Sequence, residues 1–181
     1  GIYCLDMTGK VVWKKDLPRL ATKHAHGEGA SPTLHGNTVV VCHDHEGQSY
    51  VVAFEKASGK ELWRTPRAEV SSWSTPIVVD VEGKRQVIVS GAVNLRSYDL
   101  ETGKQVWFCK GLAHNVVASP VHDAGIVFAP SSYEKKAMLA IRLKGAAGDV
   151  GPTKNLAWVR RRRTPYVPSP LLMHLSLIHI S

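Results

Sequence analysis

Between Ser74 and Cys109 apolar and polar positions change over at regular intervals. STPIVVDV is followed by the turn EGK, RQVIVSG by the turn AVN, LRSYDL by the turn ETG, and KQVWFC closes the unit. Each run is short, rich in Val and Ile and bounded by Gly or Asn, which is strand and turn chemistry. No window of about 12 residues carries an apolar period near 3.6, so helix is predicted to be nearly absent.

The unit recurs. LDMTGKVVW at 5–13, FEKASGKELW at 54–63 and DLETGKQVW at 99–107 repeat one phrase, and ASPTL at 30–34, STPIV at 74–78, ASPVH at 118–122 and PSPLL at 168–172 repeat another. Pro32, Pro76, Pro120 and Pro170 are spaced by 44, 44 and 50 residues, and Trp13, Trp63, Trp107 and Trp158 by 50, 44 and 51. Four strands per unit at a period in the forties predict an all-β fold, a β-propeller of four-stranded blades. Blade ends fall near 13, 63, 107 and 158. Gly9, Gly59 and Gly103 sit where a third strand turns into a fourth and a positive φ is favoured. The Trp after each offers a flat surface to pack between sheets, and Glu55 or Asp99 can accept hydrogen bonds from the turn amides. Asp6 stands one residue closer to its Gly. In the third complete unit, IRLKGAAGDVGPTKNLAW replaces the tight turn with an inserted loop before Trp158.

The phrase Asp-x-x-Thr-Gly-Lys-x-x-Trp, with SPTLHG opening the next blade, resembles the repeat of the PQQ-like (quinoprotein-type) β-propellers over residues 2–172. Within that family the chain looks most like the cofactor-free, BamB-like branch. The resemblance implies a propeller and leaves the activity open, because quinoprotein dehydrogenases, with pyrroloquinoline quinone and calcium, share the same repeat. The chain reads as residues 1–172 of a partial propeller: about three complete blades, with partial blades at both ends, some fifteen strands in all. The family closes with seven or eight blades, so a fragment of a larger propeller is expected. Residues 173–181 read as a non-native tail, since LSLIHIS resembles translated sequencing adaptor, and no role is expected for His174 or His179.

Composition changes this picture little. The net charge is +8, but Arg160, Arg161, Arg162 and Arg163 supply half of it in one run, so the pI of about 9.5 does not point to nucleic acid. Cys4, Cys42 and Cys109 are widely spaced, without a CxxC, and Cys42 and Cys109 are expected to be buried. No apolar stretch approaches the ~20 residues of a spanning helix, and a secretory signal, if there is one, lies outside this sequence.

Candidate chemistry gathers in loops. His24, His26 and Glu28 precede the first complete blade, and His43, Asp44, His45 and Glu46 lie in a loop within it. Blade topology predicts that both open on one face. Imidazoles and carboxylates can ligate a divalent metal, but the spacing matches no zinc pattern, and hydrogen-bonded polar loops are the favoured reading. Trp73, Asn94, Arg96, His114, Asn115 and Tyr133 are expected on the same face, where an aromatic ring, a guanidinium and amides suit a small ligand. Trp73 also reads as packing and Arg96 as an ion pair. No catalytic residue is identified: the adjacent cysteines that the resemblance associates with quinone dehydrogenases do not occur.

The function expected is a non-enzymatic binding or assembly platform in the cell envelope, periplasmic or otherwise extracytoplasmic by resemblance, without cofactor. It would engage a protein partner or small ligand on the loop face. The alternative is a PQQ- and calcium-dependent alcohol or sugar dehydrogenase with its active site in other blades.

Overall fold

The computed structural model describes residues 1–173 and 176–178. Among them no α-helix forms; the one helical turn is a 3-10 turn at Lys23–Ala25. The chain is a run of antiparallel sheets in sequence order. A hairpin, β1 (Ile2–Leu5) and β2 (Val11–Lys15), comes first. The first complete blade is β3 (Thr33–His35), β4 (Thr38–His43), β5 (Tyr50–Glu55) and β6 (Glu61–Pro66). The second is β7 (Ile77–Val81), β8 (Lys84–Ser90), β9 (Asn94–Asp99) and β10 (Gln105–Lys110). The third is β11 (Val121–Asp123), β12 (Ile126–Ser131), β13 (Ala137–Arg142) and β15 (Leu156–Arg160), with β14 (Gly148–Asp149) between its last two strands in sequence. A hairpin of β16 (Leu171–Met173) and β17 (Ser176–Ile178) follows. Part of the segment read as tail therefore pairs as β17; His174 and His179 lie outside the described residues.

The near-continuous apolar runs arise because the first two complete blades are covered on both faces. In the first blade, Val40, Cys42, Val51 and Ala53 face the second blade and pack with Val87, Val89, Tyr98 and Leu100. The alternate residues Val41, Tyr50, Val52 and Phe54 turn the other way, against Ile2 and Leu17. In the second blade, Ile88, Leu95 and Trp107 face Val127, Ala129, Leu139 and Ile141 of the third. Side chains alternate along a strand, so one Val-rich strand serves two interfaces.

The repeated phrases fasten one blade to the next. A Cβ on Gly59 would stand 2.7 Å from the Trp13 ring, and one on Gly103 2.5 Å from the Trp63 ring. The tryptophan closing one blade thus lies on the turn glycine of the following blade. Its indole N–H donates there too: Trp13 Nε1 to Lys56 O and Trp63 Nε1 to Leu100 O, both at 2.8 Å. Within the turns, Asp99 Oδ1 accepts from the amides of Glu101 (3.1 Å) and Thr102 (2.8 Å), and Asp6 Oδ1 from those of Thr8 (2.8 Å) and Lys10 (3.0 Å). Glu55 instead takes the Ser58 hydroxyl. A second relay joins the residues before the repeated prolines. The Ser31 amide donates to Thr75 Oγ1 (3.0 Å), the Thr75 amide to Ser119 Oγ (3.0 Å) and the Ser119 amide to Ser169 Oγ (2.9 Å).

The insertion at 143–155 is more than a loop. Its strand β14 pairs in parallel with β10 of the preceding blade, Trp107 opposite Gly148 and Phe108 opposite Asp149, and the Val150 amide donates to Phe108 O (2.9 Å). Leu143, Ala146 and Val150 join the core between the second and third blades. With the tight turn replaced, fully buried Trp107 donates within its own blade, to Gln86 Oε1 (3.0 Å).

Candidate functional site

Four links lead into the repeated Ser/Thr-Pro phrases, and they converge. Glu28 and Gly29 precede Pro32 by four and three residues, Trp73 precedes Pro76 by three, Asn115 and Val117 precede Pro120 by five and three, and Tyr166 precedes Pro170 by four. These residues, with His24, His26 and Tyr133, line one cleft of about 350 Å3. The repeat fixes where the backbones meet, and the side chains at these offsets differ from link to link.

The walls are aromatic. Tyr133 and Tyr166 stack at 5.6 Å between ring centroids, and His26 tilts against Trp73 at 6.2 Å with His24 a further 5.6 Å away. Trp73 Nε1 donates to Gly27 O (2.9 Å), and Gly29 backs the indole so closely that a Cβ would lie 2.7 Å from it. The links are also tied to one another, the Trp73 amide donating to Val116 O (2.8 Å) and the Lys23 amide to Ser71 Oγ (2.9 Å). Asn115 and His24 both hold left-handed backbone, φ 55 and 54. Asn115 is 7% exposed.

The remaining sequence candidates sit elsewhere. Asn94 and Arg96 both donate to Glu69 Oε1, at 3.1 and 2.7 Å, and the Arg96 guanidinium lies 5.7 Å from the Phe108 ring. Arg96 is thus an ion-pair partner of the preceding link. His114 is exposed and does not line the cleft. Asp44 receives both forks of Arg67, Nε at 2.7 Å and Nη2 at 2.9 Å, and the Ser72 hydroxyl at 2.7 Å. Glu46 accepts from Ser71 Oγ at 2.6 Å, and that bond holds its carboxyl below the usual range. His45 is closed on its own loop, Nδ1 accepting from the Gly47 amide (3.2 Å). His43 stacks on Tyr50 at 4.6 Å, and neither of its nitrogens meets a hydrogen-bond partner. Burial pushes its pKa below the ordinary 6.5. Among the described residues no three His, Cys, Asp or Glu side chains converge on a cation position.

Sequence reasoning missed Tyr166 and the Arg67–Asp44 pair. The offset from the repeated proline carries the signal for Tyr166. Nothing in the sequence ties Arg67 to Asp44, 23 residues earlier.

The family model described as outer membrane protein assembly factor BamB matches residues 1–178. The chain belongs to this family. A curated relative, the outer membrane protein assembly factor BamB of Francisella salina, is 26% identical over 100 residues, 54% of this chain and 17% of its own length. Among solved structures, BamB from Moraxella catarrhalis superposes with a TM-score of 0.59 at 19% identity, covering 92% of this chain and 45% of that one. Quinohemoprotein alcohol dehydrogenase ADHIIG from Pseudomonas putida HK5 gives 0.60 at 15% identity, covering 97% and 34%. At these identities the structural matches establish the propeller fold, shared by both branches. The chain spans less than half the length of each of these relatives.

Proposed function

We propose that the protein is a cofactor-free platform of the cell envelope, acting outside the cytoplasm in outer-membrane protein assembly. Its part is to hold loops and binding clefts rigidly for a polypeptide partner. The observation that carries this reading is the family match over nearly the whole chain, in a protein whose repeated glycines, tryptophans and hydroxyls are engaged between blades. The chemistry that varies lies on the link face, as a platform requires.

The alternative, a dehydrogenase using pyrroloquinoline quinone and calcium, is favoured by the fold shared with quinohemoprotein alcohol dehydrogenase. The cleft lining, with one acid, Glu28, and no Arg for a tricarboxylate, does not suit that group, so on this alternative the active site lies in other blades.

Two experiments test the proposal. The full-length gene, expressed in a bacterium lacking its own assembly factor of this family, is expected to restore outer-membrane protein levels; failure of a folded, exported product would sink the platform reading. Titration with the quinone plus calcium is expected to leave tryptophan fluorescence unchanged. Saturable, stoichiometric quenching would establish the dehydrogenase instead.

A further inference from the structure

The cleft at the four links has a composition that selects its ligand. We propose that it binds a neutral saccharide, one or two sugar rings laid against Trp73 and the Tyr133–Tyr166 pair, as a binding site without chemistry. This goes beyond the platform reading and does not depend on it.

Three features argue for this class. The volume, about 350 Å3, lies at the lower end of the range for small-molecule sites, about 300–1,000 Å3. The lining carries the Trp73, Tyr133 and Tyr166 rings, and the C–H face of a sugar packs on aromatic rings with loss of apolar surface from water. The polar groups are hydrogen-bonding rather than charge-matching. Asn115 carries an amide with two donors and an acceptor, lies in the lining and is 7% exposed. A purely apolar ligand would offer that amide no partner, at a cost. A sugar's vicinal hydroxyls can donate and accept at once, and Glu28, His24, His26 and the tyrosine hydroxyls offer further partners.

Charge disfavours the competing ligands. Among the lining residues an anion would meet the Glu28 carboxylate and no Arg or Lys, the Lys23 ammonium standing outside the lining beside Tyr133. A quaternary ammonium would need the ring faces for itself, but the Lys23 ammonium already stands 5.9 Å from the centroid of Tyr133. The site is also prepared in advance. Gly29 and Gly27 O fix the indole, and the Val116 carbonyl fixes the Trp73 backbone, so little ordering cost remains on binding.

The test uses the 181-residue chain with maltose, cellobiose and chitobiose as probes, followed by saturation-transfer NMR and calorimetry. At least one disaccharide is expected to bind saturably in the millimolar range or tighter, about 1 mM being weak but measurable. Its ring C–H protons should receive the strongest transfer. Asn115→Gly keeps the left-handed backbone while removing the amide, and Tyr166→Ala removes a 39% exposed ring. Each is expected to weaken binding at least tenfold with the thermal midpoint preserved. Should Asn115→Gly unfold the link, Tyr166→Ala alone decides. The proposal is overturned if none of the three probes binds, or if binding is unchanged in the variants. Saturable binding of a Trp- and Pro-bearing peptide without any sugar binding would reassign the cleft to polypeptide.

Discussion

Gly103 combines two demands on one residue. Its φ of +71 disfavours any side chain, and a Cβ would press into the Trp63 ring at 2.5 Å and Thr65 Oγ1 at 2.9 Å. Gly125 has the same backbone, φ +74, with nothing within 4 Å, so the pair separates strain from packing. Gly125→Ala is expected to cost about 1–2 kcal/mol from the backbone alone. Gly103→Ala adds overpacking of about 1–3 kcal/mol, and urea midpoints measure both. Equal costs would mean that the Trp63 contact carries no energy. His43 poses a different question, since it is buried, stacked on Tyr50 and without hydrogen bonds. Its pKa is depressed in the fold, so the unfolded chain takes up the proton first as pH falls from the ordinary value of 6.5. The stability that neutral His43 contributes is therefore present above about pH 6.5 and lost as pH falls through its lower folded value. His43→Phe keeps a ring on Tyr50 and removes the titration. Its thermal midpoint is expected to fall less between pH 7 and pH 5 than that of the unmodified chain, and parallel losses would place the acid sensitivity elsewhere.

At the scale of elements, β14 adds a fifth strand to the second blade, one that the first and third blades lack among the described residues. An outer strand offers unpaired amides and carbonyls to other chains, and β14 covers part of that edge on β10 while sending Val150, 1% exposed, into the core beneath. Val150→Asp sets a carboxylate in that core and is expected to detach the insertion at a cost of about 2–4 kcal/mol. Amides around Phe108 should exchange faster, and light scattering should reveal concentration-dependent association through the bared edge. Faster exchange without association would mean that β10 is not a competent edge. This element also marks where sequence reading stops. The four strands per blade were legible because Val-rich runs and Gly turns repeat three times in step. A two-residue strand built from GD, in a stretch of Gly and Ala, has no periodicity, and its partner lies 41 residues earlier. The cleft was half legible for the same reason. Trp73, Asn115 and Tyr133 were recognisable by residue type in the loops of one face, whereas Asn94 and Arg96 share the type but bond to Glu69.

Over the whole molecule the interface of the first and second blades has three layers. At one end of β6, Trp63 lies on Gly103; in the middle, Val40, Val51 and Ala53 meet Val87, Val89 and Tyr98; at the far end stands a buried polar plug. There Arg67 and Asp44, both side chains fully buried, form a forked pair that also reaches Tyr98 Oη at 2.9 Å, and Gly91 makes room, since a Cβ would meet Arg67 Nη2 at 2.7 Å. Asp44 belongs to the first blade, Arg67 to the link and Tyr98 to the second, so the plug sets how the two blades meet. Burying two charges costs desolvation that their attraction roughly offsets, so the pair adds little net stability, but removing one partner strands the other. Asp44→Ala is expected to cost about 3–5 kcal/mol, most of it the unpaired guanidinium. Asp44→Leu combined with Arg67→Met removes both charges and is expected to recover most of that loss. The two variants should differ in a second measurement. If the plug fixes blade orientation, the double variant will be stable yet show altered amide shifts along β6 and β9, and its links will hold the cleft less well. A double variant with native shifts would reduce the plug to buried charge without a positioning role, leaving the apolar layers and the Trp63–Gly103 contact to set the geometry on which the link face depends.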